Sequence, residues 1–369
     1  MELSLLINHF DIPGNLVLIN PIGNGNVNDT YMAIFRNTFE EHRVILQHLN
    51  RNVFANPGAI MHNLRTLTDH AHPKLSRECP TDDRVWQLPK IIQTKDGRDF
   101  FCDEQNRVWR VITCIPSATA YDQPQGTEHA LECGSVLGRF HNLISDMDIS
   151  SVTEPIPEFH VTPSYLRKYD LTLEGNEVAK RKISTSSEAR RMAMFIEQRR
   201  EFASTLQNAL ERGELKKRMM HGDPKINNIM IDDFTGKGTA MIDLDTVGPG
   251  LVHYDFGDAL RSICNSAGEE ETNLSKVVFN MDLCEAFCKG YLRYAKEFLT
   301  NSDLAYLYDA IRLITFELGL RFFHDYLNGN VYFKTTHPEQ NLNRARVQFR
   351  LCESIESKER MIRAALKNI

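Results

Sequence analysis

Three side chains in the second half of the chain have the types and spacing to move a phosphoryl group: Asp223, Asn228 and Asp243. The first two lie in MMHGDPKINNIMI, residues 219 to 231, a polar cluster flanked by apolar residues on both sides. Such a cluster reads as a loop held between buried elements, where functional side chains concentrate. The third ends the apolar stretch Thr239-Ala240-Met241-Ile242-Asp243. In phosphoryl transfer a carboxylate must orient the attacking hydroxyl and take its proton, while a divalent cation neutralises charge on the phosphates. Magnesium suits that task because it takes few protein oxygens and leaves room for phosphate and water. Asp223 fits the base; Asn228, five residues on, and Asp243 fit the cation. A purely structural turn would use similar residues, since Asp-Pro at 223–224 is itself a turn signal. The spacing to Asn228 and the strand-ending Asp243 favour function. His221 reads as a brace for the loop rather than a reactant, and Asp255 as a hydrogen-bond support from below. Asp258 and Arg261, three apart, read as a structural ion pair on a helix.

These residues need elements to hold them. Apolar positions 226 and 229–231, the turn-rich stretch 232–236 and the strand ending in Asp243 read as a hairpin that brings Asp223, Asn228 and Asp243 to one end. Upstream, residues 15–20 and 30–35 are β-prone around a Gly-rich turn, and Arg43 to Gln47 is a third strand. A helix follows from Pro57 to His70, with Asn56 as N-cap and Pro57 at its first position. Residues 99–102 and 107–114 read as a second hairpin. After Ile115-Pro116-Ser117 the periodicity is mainly helical, over 127–144, 187–211, 272–298, 302–328 and 338–367. The expected fold class is therefore α+β, in two lobes: a β-rich N-terminal lobe over 1–115 and a helical C-terminal lobe over 116–369 that carries the catalytic loop. Nucleotides often bind between two such lobes.

The bulk properties exclude several classes. A chain of 369 residues with 42% hydrophobic and 25% charged residues is long enough to bury a core without disulfide staples. A net charge of -6 argues against a nucleic-acid partner, which would call for a basic surface. No positively charged signal region and no run of about 18 apolar residues is present, so a cytoplasmic location is expected. Cys284 and Cys288 stand one helical turn apart and could clamp a metal; burial as small core residues of a reduced protein is the simpler reading. The basic pairs at 190–191, 199–200 and 216–218 read as solvated helix faces.

The motif HGDxxxxN followed by an IDLD strand resembles the signature of the aminoglycoside phosphotransferase and choline kinase superfamily, which has a protein-kinase-like fold. The stretches GNGNVNDTY at 23–31, VILQHLN at 44–50, HGDPKINNIMID at 221–232, IDLDTVGPG at 242–250, DFGDALR at 255–261 and GLRFFHDYLNGNVYF at 319–333 are similar to the N-acetylhexosamine 1-kinase branch. The resemblance covers roughly residues 10 to 350. It implies ATP as phosphoryl donor, Mg2+ held by Asn228 and Asp243, and Asp223 as catalytic aspartate. It implies sugar contacts from Asn26, Asp223, Arg321 and Tyr332; a histidine is common at the position of Asn26, and the change bears on sugar preference. Gly23, Asn24 and Gly25 would cover the phosphates, although a plain hairpin turn would use the same residues. The backbone from Thr113 to Ile115 would meet the adenine. Protein kinases place a lysine on the third strand for the phosphates; Gln47 stands there instead, with Arg43, His48 and Arg51 among the basic residues close in sequence.

The acceptor side is read from residues 302 to 327, a strongly apolar helix with Ser302 as N-cap. Glu317, Arg321, Asp325 and Asn328 form a polar stripe among aromatic residues. The plain reading is a solvated face of ion pairs. An arginine covered by aromatics would instead suit sugar hydroxyls and oppose a cationic acceptor, which calls for carboxylates or an aromatic cage. Two alternatives stay open: a kinase of another small alcohol, of aminoglycoside, choline or homoserine type, and a non-catalytic nucleotide-binding protein.

Overall fold

The computed structural model describes residues 2–22, 28–51, 53–77 and 84–367. Gly23, Asn24, Gly25 and Asn26 lie outside the described residues. The fold is kinase-like: a β-sheet N-terminal region followed by a mainly helical part.

The chain folds as two compact units that interleave in sequence. The first takes Met1–Thr119, Met147–Pro157 and Met230–Gly248; the second takes Ala120–Asp146, Glu158–Ile229 and Pro249–Ile369.

In the first unit, helix α1 (Leu3–Leu6) leads to strands β1 (Asn15–Pro21), β2 (Asp29–Arg36) and β3 (Glu41–Leu49). Helix α2 (Pro57–Leu75) follows, then β4 (Ile91–Ile92), β5 (Phe101–Cys102) and β6 (Val108–Thr113). The antiparallel order is β1-β2-β3-β6-β4, with β5 also on β6. Alternation puts Ala33, Phe35, Val44, Leu46, Trp109 and Val111 on one face, where they pack with Leu6, Ile7 and Phe10. Register pairs Gln47 directly with Arg110. The Asn56 side chain caps α2 by accepting from the Ala59 N–H at 3.2 Å. The helix passes the expected end at His70 and carries Pro73 in its last turn. A three-stranded sheet joins β7 (Ala118–Ala120) to β9 (Ile229–Asp232) and β10 (Gly238–Met241) in the order β10-β9-β7. Asn63 of α2 stitches the later segments to this unit. Its amide donates to the Thr153 and Val247 carbonyls at 2.7 and 2.9 Å and accepts from Thr153 N–H at 3.1 Å.

The second unit holds α3 (Thr127–Ile144), α4 (Thr162–Gly175), α5 (Glu177–Thr185), α6 (Ser187–Glu197) and α7 (Thr205–Glu211). After strand β8 (Arg218–Met220) come α8 (Val252–Ile263), α9 (Met281–Ala295), α10 (Asn301–Ala305), α11 (Leu307–Leu327), α12 (Gln340–Ser357) and α13 (Glu359–Lys367). Strand β8 pairs with β11 (Gly248–Gly250), which leads into α8.

Several further helical boundaries differ from the sequence expectation: the single helices expected over 302–328 and 338–367 are split at Tyr306 and at Lys358 into α10 and α11 and into α12 and α13. The helix expected over 187–211 breaks into α6, a short turn and α7; Arg200 at the break binds Asp170 of α4 at 2.8 and 2.9 Å as well as Glu197. The one expected from 272 starts at Met281, capped by Asn280. The cap expected at Ser302 is Thr300, which forms a capping box with Asp303. Asp303 also holds the buried Arg218 at 3.2 and 2.8 Å, so a side chain already engaged in an ion pair sets the helix start.

Helices α3 and α9 touch backbone to backbone. A Cβ at Gly290 would lie 2.0 Å from the Leu131 carbonyl oxygen, and one at Gly134 would lie 2.0 Å from that of Phe287. Cys264, Cys284 and Cys288 are buried among these helices, and the described cysteines are free thiols. No group of three His, Cys, Asp or Glu side chains suited to a metal occurs among the described residues. Among those residues no helix is long and apolar enough to cross a membrane. Gly290→Ala should force the two helices apart and lower unfolding free energy by about 1–3 kcal/mol, the usual range for overpacking. Urea titration followed by far-ultraviolet circular dichroism measures it; an unchanged midpoint would contradict the close approach.

Candidate active site

Strand β8 delivers the chain into His221-Gly222-Asp223, and a single helical turn, Ile226–Asn228, carries it into β9. The loop would strand its amides away from water, and buried amides need partners. Asp255, in the first turn of α8, supplies two. Its carboxylate accepts from the His221 N–H at 2.6 Å and the Gly222 N–H at 2.8 Å. The same carboxylate takes His141 Nε2 of α3 at 2.7 Å, while His141 Nδ1 meets the Tyr291 hydroxyl of α9 at 3.0 Å. Three helices thus fix the loop through one side chain. Burial pushes the Asp255 carboxyl up, but the hydrogen bond and charge of His141, with the His221 contacts, pull it below the ordinary range.

His221 is fully buried. Its Nδ1 accepts from the Asp223 N–H at 3.2 Å, and Phe140 packs edge-on against its ring. The Ile226 N–H donates to Ser262 Oγ of α8 at 3.2 Å. Asp223 keeps its side chain 31% exposed, so its carboxylate reaches solvent from a loop whose backbone does not. Lys225 Nζ lies 2.7 Å from that carboxylate. Asn228 donates through Nδ2 to the Asp223 carbonyl at 2.7 Å and to the carboxylate at 3.2 Å. An amide that points its nitrogen at Asp223 turns its oxygen away, as a hard cation requires.

In the other unit, Asp243 lies two residues past the end of β10. It does not end the strand: its backbone is left-handed, with φ 61° and ψ 56°. This conformation is uncommon and strained outside glycine, Asp and Asn being the side chains that tolerate it best. It turns the chain into the short helical turn Leu244–Thr246. Buried Asp245 in that turn accepts from Asn28 Nδ2 at 2.6 Å and pairs with the guanidinium of Arg110.

Gln47 is also committed. Its carbonyl oxygen accepts from Arg110 Nε and Nη2 at 3.0 and 2.7 Å, and its nitrogen donates to Thr30 Oγ1 at 3.2 Å. The cation that sequence proximity failed to place beside Gln47 is therefore Arg110, its cross-strand partner. A charged residue inside the apolar run Val108-Trp109-Arg110-Val111-Ile112 was the signal, legible only once β3 and β6 are paired. At the end of β6, the Thr113 N–H donates to the Lys90 carbonyl at 2.9 Å. The Ile115 N–H makes no hydrogen bond to a described residue.

On α11, Arg321 is 13% exposed in its side chain. Its guanidinium lies 5.1 to 5.9 Å from the ring centres of Phe159, Tyr165, Tyr332 and Phe333. Tyr332 is half exposed, at 52%. The stripe on α11 is not a solvated face, since Glu317 and Asp325 are 1% and 4% exposed. Nor does Asp325 flank the arginine: it accepts from the N–H groups of Val331, Tyr332 and Phe333 at 2.9, 2.9 and 3.0 Å and from Asn341 at 2.9 Å. It shapes the turn that presents Tyr332. Asp258 and Arg261 pair at 2.9 Å, with Glu269 as a further partner.

A β-sheet region and a helical part with an HGD loop define a phosphotransferase of kinase-like architecture. The profile of the phosphotransferase enzyme family matches residues 19–294, and the chain belongs to that family. Solved structures of the same fold include a microcompartment-associated aminopropanol kinase, 16% identical over 98% of both chains with a TM-score of 0.55. Choline kinase from Cryptosporidium parvum Iowa II is 13% identical over 99% of both, with a TM-score of 0.59. A spectinomycin phosphotransferase in complex with ADP and spectinomycin is 13% identical over 96% of this chain and 97% of that one, with a TM-score of 0.55. At these identities the likeness is one of fold.

The lowered Asp255 carboxyl gives a pH prediction. A depressed folded pKa contributes stability that is present above the unfolded value, near 3.8, and is lost as pH falls through the folded one. Asp255→Asn should flatten this acid limb, measured as urea unfolding free energy from pH 6 to pH 3. A variant whose stability falls in parallel with the parent would contradict the clamp.

Proposed function

We propose that the protein transfers the γ-phosphoryl group of ATP to the anomeric hydroxyl of an N-acetylhexosamine, giving the sugar 1-phosphate. The observation that carries the transfer is the Asp223 carboxylate, solvent-reaching on a pinned loop with Lys225 and Asn228 against it. Asp223 aligns the acceptor hydroxyl for in-line attack and receives its proton. Lys225 offsets charge on the phosphoryl oxygens as it moves. Asn228 through its amide oxygen, and Asp243, would hold magnesium, which would supply positive charge to neutralise the phosphates. The unused Ile115 N–H suits adenine, while Gly23, Asn24 and Gly25 would cover the phosphates; Arg110 gives Gln47 a fixed orientation rather than leaving it a lone amide. ADP bound to the spectinomycin phosphotransferase is consistent with ATP as donor.

The acceptor assignment rests on Arg321. A cationic acceptor would want the four aromatic rings around that guanidinium, and the protein's own cation already faces them. A neutral N-acetylated sugar can take hydrogen bonds from Arg321 and lay its ring on Tyr332, with Asn26 as a further contact. The same reading places the protein in the cytoplasm, where free thiols persist, with no nucleic-acid partner.

Release of ADP with an acceptor panel tests the assignment: N-acetylglucosamine and N-acetylgalactosamine should turn over, and choline, homoserine and aminoglycosides should not. Asp223→Asn should reduce turnover by roughly 10³-fold or more, as for loss of a positioned base with its charge. ATP affinity should stay nearly unchanged. Full activity in that variant would remove Asp223 from the role, and binding of ATP with no turnover of any alcohol would favour a non-catalytic nucleotide-binding protein.

A further inference from the structure

We propose that His160 is a positioning residue of the transfer reaction: as an imidazolium it ties Glu317 of α11 to the Gly222 carbonyl of the catalytic loop. The inference rests on the reading of Asp223 above, but not on the identity of the acceptor.

The geometry is a relay of two hydrogen bonds. His160 Nδ1 lies 2.9 Å from Glu317 Oε1, and Nε2 lies 2.9 Å from the Gly222 carbonyl oxygen. A carboxylate and a carbonyl only accept, so both ring nitrogens must donate. A neutral imidazole carries one N–H and would leave one of these contacts without a proton. The ring is 4% exposed, between Phe159 at 4.0 Å and Tyr254 at 5.6 Å, so water does not serve as an alternative partner. Glu317 is itself fixed, since its second oxygen accepts from Thr162 Oγ1 at 2.6 Å. The charged and titratable groups around the ring are Glu317 and Arg321 from α11 and Asp258 and Tyr254 from α8. The two carboxylates hold the imidazolium and Arg321 opposes it; net, the ring is more basic than an ordinary histidine although burial works against it. His160 also has left-handed backbone, with φ 61°, a conformation that persists only where surroundings enforce it.

The consequence lies in one peptide plane. Gly222 has φ 88°, and a glycine next to a peptide lets that plane swing easily. The Gly222–Asp223 plane is pinned at both ends: its oxygen by His160 and its N–H by His221. Rotation of this plane would swing the Asp223 side chain, whose aim decides the reaction. Arg321, with Nη1 4.0 Å from Glu317, lies at the other end of the relay. The acceptor-side helix and the base are thereby held in one register within this unit.

Two substitutions separate the contacts. Glutamine places its nitrogen near the Nε2 position, and asparagine near Nδ1. His160→Gln keeps a donor for Gly222, whereas His160→Asn keeps one for Glu317. Asparagine is the better fit to left-handed backbone, so the fold favours the variant expected to fail. With whichever alcohol the parent enzyme turns over, or with water as acceptor if none does, His160→Asn should lower kcat about 10²-fold, the scale of a 1 Å misplacement. His160→Gln should retain kcat within about tenfold of the parent, and the KM for ATP should be unchanged in both. Selectively 15N-labelled histidine should show both His160 nitrogens protonated at neutral pH, identified by their loss in His160→Gln. Equal losses in the two variants, better activity in His160→Asn, parent-level activity in both, or a single protonated nitrogen would each overturn the proposal. Failure of the parent to use a sugar would touch the acceptor assignment and leave this comparison intact.

Discussion

The site depends on a single buried carboxylate. Asp255 accepts two consecutive loop amides and a histidine with one side chain, at 2.6, 2.8 and 2.7 Å. A loop that must show Asp223 to solvent cannot bury its own polar backbone in regular structure, so the protein brings acceptors to it. Asp255 does this from the first turn of α8, close to the positive end of the helix dipole, which favours a carboxylate there. His141 then carries the constraint to α3, and through Tyr291 to α9. The close approach of α3 and α9 at Gly134 and Gly290 is what makes that support stiff. Packing between helices is in this way converted into the orientation of one loop.

The rest of the arrangement follows the same logic, with polar side chains committed to holding backbone rather than meeting ligand. Asp325 organises the turn of Val331 to Phe333, Asp303 sets the start of α10 and holds Arg218, and Asp245 gathers Asn28 and Arg110. Each is buried, Asp325 and Asp303 held by hydrogen-bond donors and Asp245 by Asn28 and the Arg110 charge, and such pairing is the condition under which a buried carboxylate is tolerable. The side chains left for chemistry are correspondingly few.

Much of this was legible in the sequence because the relevant signals are local. The alternation of β1 to β3, the Asn56-Pro57 start of α2 and the periodicity of α3 depend on neighbours within a turn or a strand. The HGD motif and its spacing to Asn228 are local too. What was not legible depends on pairing across the chain. Arg110 meets Gln47 only through strand register, and His160 meets Gly222 and Glu317 across 62 and 157 residues. The Ser302 cap was misplaced because Thr300 and Ser302 are equivalent by type, and only the partner Asp303 distinguishes them. The polar stripe on α11 looked solvated or shared with Arg321, yet Asp325 faces a turn whose position no helical pattern reveals. The break in the helix expected over 187–211 likewise needed Asp170, from another helix, to be seen.

The central claim is transfer to an anomeric oxygen by a site built on Asp223. Its most direct measurement is proton-coupled phosphorus NMR of the product formed from the protein, MgATP and N-acetylglucosamine. The account predicts a new phosphomonoester signal split by the single proton on the anomeric carbon. A phosphomonoester coupled to any proton other than the anomeric one, whether a single ring proton or the two protons of the primary carbon, or no sugar phosphate while another alcohol consumes ATP, would contradict it.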